Sequence, residues 1–275
     1  MSTVSNTVPA GTVEVDPVEA GTVPADAASA GTAGADAVAW AGVPPDAVHL
    51  DADTVDVYEL NTTLRQLARG TRPVAVDNPR ARHNLGIGLE GGTCEIHFLG
   101  SVGYYCGGFN AGARIVVHGN AGWGVGEAMS AGRIVVHGST AWSAGAGMRG
   151  GTIVIHGDGG PRTGIAMKGG DVFVAGAVGF LSGFMAHRGK IVVLGGAGDG
   201  LGASMYEGRI FVSGDVGSLG ADAIERPLDQ ADTAELQRDL AAAGLSWPDQ
   251  PFRKVEAEGR LWYFDKHDGR IWRNI

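Results

Sequence analysis

Three observations predict an all-β fold, a right-handed single-stranded parallel β-helix of about seven turns. An isoleucine or valine recurs every 19 residues, at Ile96, Ile115, Ile134, Ile153, Val172, Ile191 and Ile210, with no insertion or deletion. Four residues after each comes a glycine, from Gly100 to Gly214. Glycine makes up 47 of the 275 residues with no collagen-like triplet to account for it. A fixed period near 20 is the signature of a solenoid, one turn per repeat. The period contains no LxxLxLxxN pattern and no ten-residue helical stretch, so a leucine-rich horseshoe is excluded. Further glycine columns, Gly103 to Gly217 (with Ala141 in one turn) and Gly107 to Gly202, mark the corners that a tight coil needs. Strands stack ~4.8 Å apart, so seven turns make a rod ~34 Å long.

The elements are read in chain order. Residues 1–41 are rich in Ala, Gly, Thr, Val and Pro, with the phrase AGT repeated, and read as a flexible, disordered low-complexity arm. Residues 42–85 form an N-terminal strand and helix cap: alternation from Asp46 to Leu60 suits a strand. Asn61–Arg69 (NTTLRQLAR) suits a helix capped by Asn61 or Thr62 and ended by Gly70, and Pro73–Val76 a second strand. Residues 86–221 are the β-helix. Residues 222–275 are a C-terminal tail containing a short amphipathic helix, Thr233–Ala243 (TAELQRDLAAA), which packs on the rod or on a partner.

Side chains alternate along a strand. The Ile96 column and the column Phe98, Val117, Val136, Ile155, Val174, Val193 and Val212 therefore face the core. Met129, Met148, Met167 and Met205 fill a corner of it, with Met185 one place out of phase. The outward column His97, Val116, Val135, Val154, Phe173, Val192 and Phe211 is apolar where a water-facing strand would be polar. Either the tail helix or a partner protein covers it. The next column stacks His118, His137 and His156; a ladder holds ligands side by side where a metal wants them converging, so a packed wall is the reading. Tyr104, Trp123, Trp142, Pro161 and Phe180 form a corner ladder, either a stabilising stack or, through Trp123 and Trp142, interface anchors. A basic stripe of Arg114, Arg133, Arg149, Lys168, His187, Arg188, Lys190 and Arg209 is a solvated face or a guide for an acidic partner or an anionic substrate tail. The candidate partner interface is accordingly Val116, Val135, Val154, Phe173, Val192, Phe211, Trp123 and Trp142.

No GxSxG, HExxH, Walker A or CxxC string occurs, so neither a catalytic residue nor a cofactor or metal site is expected in this chain. The GxGxxG-like strings fall on the 19-residue lattice and open no helix, which excludes a dinucleotide fingerprint. Net charge is −9; nine acids and no Lys or Arg lie in residues 1–56, while residues 57–221 hold ten acids and thirteen bases. No dense basic cluster suggests nucleic acid, no apolar run suits a membrane span, and the two cysteines, Cys94 and Cys106, suit a reducing cytoplasm.

The segments GAGMRGGTIVIHG (Gly145–Gly157) and GIAMKGGDVFVAG (Gly164–Gly176) and the tail FRKVEAEGRLWYFDKHDG (Phe252–Gly269) carry a family resemblance over residues 46–275. The repeat resembles the glycine-repeat (GxGxG) domain at the C-terminal end of the large subunit of glutamate synthase. It is similar as well to the C component of the formylmethanofuran dehydrogenase family, and most to that of the bacterial formyltransferase/hydrolase complex of methylotrophs. That resemblance implies a non-catalytic scaffold in one-carbon metabolism (formaldehyde oxidation), where formyl-tetrahydromethanopterin becomes formate by way of formylmethanofuran. The implied partners are a formyltransferase, an amidohydrolase-like hydrolase and a dehydrogenase-B-like protein; methanofuran and tetrahydromethanopterin derivatives act elsewhere in the complex. The alternatives are the C component of a molybdenum or tungsten formylmethanofuran dehydrogenase, and a glutamate-synthase-type β-helix spacer.

Overall fold

The computed structural model describes residues 42–259; the arm expected over 1–41 and the end of the tail, 260–275, lie outside them. Strand β1 (Val48–Asp51), helix α1 (Val57–Ala68) and strand β2 (Val74–Asp77) lead into seven further strands. These are β3 (Glu95–Phe98), β4 (Ala111–Val117), β5 (Ala131–Val136), β6 (Thr152–Ile155), β7 (Lys168–Val174), β8 (Arg188–Val193) and β9 (Arg209–Val212). Strand β10 (Ala223–Arg226), helix α2 (Gln230–Ala243) and strand β11 (Arg253–Ala257) follow. All strands join one sheet in the order β1 to β9, then β11 and β10.

From β1 to β9 every pairing is parallel, and Ile96, Ile115, Ile134, Ile153, Val172, Ile191 and Ile210 pair in one unbroken register. This is the parallel β-helix that the 19-residue period predicts. Two features lie off the period. Strands β1 and β2 join the same wall, Val48 beside Val74 and Val74 beside Ile96, although those offsets are not 19. Strand β11 runs antiparallel to both β9 and β10 and so closes the far edge.

Both inward columns are buried in one continuous core with Met129, Met148, Met167 and Met205, while Met185, out of phase, is exposed and Ala186 takes its inner place. The last glycine column adopts a left-handed backbone, φ +65° at Gly107, +66° at Gly126 and +69° at Gly145. A Cβ at Gly126 would sit 2.6 Å from Ile153 Cδ1, so both conformation and space call for glycine. At the strand-end corner the reason is different: a Cβ on Gly195 would stand 2.7 Å from the Gly176 carbonyl carbon of the preceding turn.

Helix α1 begins a turn earlier than the sequence suggests. Asp56 is its cap, accepting a hydrogen bond from Glu59 N at 2.8 Å, in place of Asn61 or Thr62. Asn61 is buried within the helix. Its Nδ2 donates to Asn84 O at 2.7 Å and its Oδ1 accepts from Gly86 N at 2.8 Å, which ties the helix to the start of the coil. A carboxylate at the helix start also suits the macrodipole.

Gly147 offers a control for the crowding at Gly126, because its φ is also positive (+60°) but a Cβ there meets nothing within 4 Å. One period either side, Ala128 and Ala166 adopt the same conformation. Gly126→Ala is therefore expected to lower unfolding stability by about 2–3 kcal/mol, and Gly147→Ala by about 1 kcal/mol or less, in urea titrations.

Candidate interaction surfaces

The outward face of the strand wall is covered over much of its length by the chain itself. Val154, Phe173, Val192 and Phe211 form a second apolar cluster with Leu236, Leu240 and Ala243 of α2 and with Phe252. Helix α2 is well delimited: Asp229 and Asp232 form a reciprocal capping box at its start, and Gly244 in the left-handed conformation ends it. Of the expected interface column, these four residues are therefore buried beneath the tail helix, which runs from Gln230 rather than Thr233. A charge at Val154 would displace α2 before it disturbed any partner. Val135 of β5, half-buried, packs against the same cluster, and Val116 of β4 is buried as well, so no member of the expected column from Val116 to Phe211 is left open as an interface.

Charge fixes the position of α2. Lys190, 3% exposed, donates to Glu235 Oε1 at 2.8 Å and to Asp239 Oδ2, with Asp171 3.7 Å away. Arg209 makes a bidentate pair with Glu235 at 2.8 and 2.9 Å, and Lys254 pairs with Asp232 at 2.7 Å. At the other end of the helix Arg133 donates to Ala243 O at 3.3 Å, where the helix dipole favours a cation. The basic stripe thus divides. Arg133, Lys190 and Arg209 clamp the tail helix instead of forming a solvated face, while Arg188 pairs with Glu207 at 2.8 Å along the rod. The Arg209 hydrogen bonds, with Lys190 beside them, hold the Glu235 carboxyl down at about 2.

Towards the N-terminal end of the wall the imidazoles of His97, His118, His137 and His156 stack, with centroids 5.3, 5.2 and 5.2 Å apart. His97 Nδ1 and His118 Nε2 are 3.1 Å apart. Burial, then the neighbouring imidazoles, depresses His118 to about 4; burial likewise leads the lowering at His97 and His156. Among the described residues no group of three or more His, Cys, Asp or Glu is arranged to hold a metal ion.

The corner ladder lies on the third side of the coil, the turn wall between the strand-end corner and the next strand. His83 stacks on Tyr104 at 4.2 Å, Tyr104 on Trp123 at 5.4 Å and Trp123 on Trp142 at 5.6 Å. Arg162 sits 5.6 Å over the Trp142 ring and Phe180 meets that ring edge-on. The flat faces of Tyr104, Trp123 and Trp142 are therefore covered along the rod axis. His83 escapes the repeat because it stands outside the 19-residue lattice.

One ladder went unread in the sequence. Ser101 Oγ accepts from Asn120 N, Asn120 Oδ1 from Ser139 N, Ser139 Oγ from Asp158 N and Asp158 Oδ1 from Ala177 N, at 2.8–3.0 Å. Each side chain satisfies a backbone N–H one turn on, at the crowded corner. Its signal is the polar residue directly after the first four strand-end glycines, Gly100, Gly119, Gly138 and Gly157.

A family model described as GXGXG motif matches residues 58–239, well over half of the chain. Protein GlxC of Rhizobium meliloti (strain 1021) is 45% identical over 74 residues, 26% of this chain and 32% of that protein. The match thus spans about a third of that relative's length. Neither match bears on the formyltransferase/hydrolase complex. No helix among the described residues is long and apolar enough to cross a membrane.

The lowered histidines give stability a sign with pH. A group whose folded value lies below its ordinary 6.5 takes up protons more readily in the unfolded chain, so its contribution is complete above about 6.5 and is lost as pH falls through about 4. Denaturation midpoints are expected to drop across that window. His118→Leu, which places the residue found at Leu99 and Leu194 in the same column, is expected to flatten the drop.

Proposed function

The chain belongs to the GXGXG motif family, and from that premise we propose that it is a non-catalytic structural module of the glutamate-synthase type, a rigid spacer between catalytic units in amidotransfer. One observation carries this reading: the main polar clusters among the described residues serve the coil or its tail helix. The Ser101–Asp158 ladder satisfies corner amides, the Lys190–Arg209–Glu235 cluster docks α2, and the imidazoles are packed against one another. Acid–base or nucleophilic chemistry needs a reactive group with a base, or paired carboxylates, around a space for substrate. The carboxylates of these clusters are engaged: Asp232, Glu235 and Asp239 of α2 pair with Lys254, Arg209 and Lys190, and Asp158 accepts from a corner amide.

A spacer is useful only if it is stiff. A parallel coil, with rung-to-rung hydrogen bonds and a continuous core, suits that task. Buried free thiols at Cys94 and Cys106, the latter pushed up to about 12 by burial, support a reducing compartment, the cytoplasm.

A second reading keeps the scaffold and changes the assembly. The tail sequence Phe252–Gly269 resembles the C component of the formyltransferase/hydrolase complex, where methanofuran and tetrahydromethanopterin derivatives would be handled by the formyltransferase, hydrolase and dehydrogenase-B-like partners. The two readings separate in one experiment, affinity capture of the tagged full chain from its own cell extract with mass spectrometry of what co-purifies. A flavin-binding synthase-type chain is expected. A formyltransferase with an amidohydrolase-like chain would move the module to the second assembly, and turnover of a substrate by the purified chain alone would refute a structural role.

A further inference from the structure

Six of the eight large apolar side chains that are exposed among the described residues lie on the turn wall: Tyr104, Tyr105, Phe109, Trp123, Phe180 and Met185. Phe109 is 62% exposed. These side chains span five turns, ~19 Å at ~4.8 Å per turn. Few charges interrupt it, and one of those, Arg162, lies over the Trp142 ring. An apolar surface of this extent marks an interaction site.

We infer that the turn wall is the interface of a two-fold dimer of this chain, with the two rods side by side and parallel. The inference stands apart from the spacer reading and does not depend on it. Two features of the wall select a second copy as the occupant. The first is periodicity. The wall presents aromatic edges and glycine gaps at the rise of the coil, and the surface that repeats at the same rise is another copy of the wall. A two-fold axis parallel to the rod keeps every turn of one copy level with the same turn of the other.

The second is charge. One edge of the wall carries Arg149 and Lys168, with Arg188 beyond them paired to Glu207, and the opposite edge carries Ser101, Asn120, Ser139 and Asp158. Lys168 and Asp158 bracket the same turn. Asp158 is exposed, and only its Oδ1 is engaged, accepting from Ala177 N. Lys168 makes no ion pair among the described residues. Rotation about an axis along the rod exchanges the two edges, so Lys168 of each copy meets Asp158 of the other, twice over. This is what an isologous contact requires. An antiparallel pair centred on this turn would set Lys168 against its own copy.

The test is the mass of the purified full chain by sedimentation equilibrium at micromolar concentration, with folding of each variant checked by circular dichroism. A dimer of the 28.2 kDa chain is expected. Lys168→Asp and Asp158→Lys are each expected to weaken it about tenfold or more. The double variant, and an equimolar mixture of the two single variants, are expected to recover it. Phe109→Lys, at a side chain too exposed to support the fold, provides an independent disruption. A monomer would overturn the inference, as would a dimer indifferent to all three substitutions. Loss in the single variants without recovery in the double would overturn the parallel arrangement.

Discussion

Everything in this molecule depends on the hydrogen-bonded register between successive turns. His118 N donates to Phe98 O at 3.0 Å, His137 N to Val117 O at 2.9 Å and His156 N to Val136 O at 2.9 Å, and the same step repeats along the rod. Once turns are held at strand spacing with no lateral slip, each side chain lies over its counterpart 19 residues earlier. Like then stacks on like. Isoleucine on isoleucine gives a core, imidazole on imidazole a packed wall, indole on indole a corner, and hydroxyl or carboxamide on amide a polar seam. Glycine follows from the same constraint. At the strand-end corner the backbones of adjacent turns approach too closely for a Cβ, and two corners later the chain turns left-handed against the isoleucine column.

Such a coil leaves two liabilities, an apolar outer column and open sheet edges. The tail answers both. Helix α2 lies over Val154 to Phe211 and β11 pairs with the last turn. The helix contributes only a few apolar residues to the contact, so its docking rests heavily on charge. The charged heads of Lys190 and Arg209 lie 5.9 and 5.6 Å from the Phe173 and Phe211 ring centres and at the same time bind the helix acids. A buried cluster of this kind specifies position more than it adds stability, because breaking one partner leaves charges without solvent.

The repeat was legible because nothing interrupts it: seven in-phase isoleucine or valine positions and strict alternation suffice to assign turn, strand and facing. What escaped were features off the lattice. Strands β1 and β2 extend the wall at irregular offsets, and His83 extends the aromatic stack from outside the period. Asp56 was hidden as a cap because Val55 and Val57 flank it with an alternation that reads as strand. Whether the tail or a partner covers the outer column could not be separated by hydrophobic pattern, since either presents an apolar face. The deciding signal was electrostatic and was present: Asp232, Glu235 and Asp239 share a helix face, and Lys190 and Arg209 share a column one period apart.

If the register between turns is the governing constraint, the rod should tolerate loss of a whole turn and nothing else. The most direct measurement compares cooperative thermal unfolding of two deletions at the N-terminal edge of the stretch that α2 covers, where Arg133 meets the helix end and Arg114 takes its place in the full-period deletion. One removes residues 115–133, a full period, and joins Arg114 to Ile134. The other removes residues 115–131 and shifts the remaining turns out of phase. The account expects the first to unfold cooperatively as a shorter rod with its tail helix still docked, and the second to lose cooperative folding. Equal behaviour of the two deletions would contradict it.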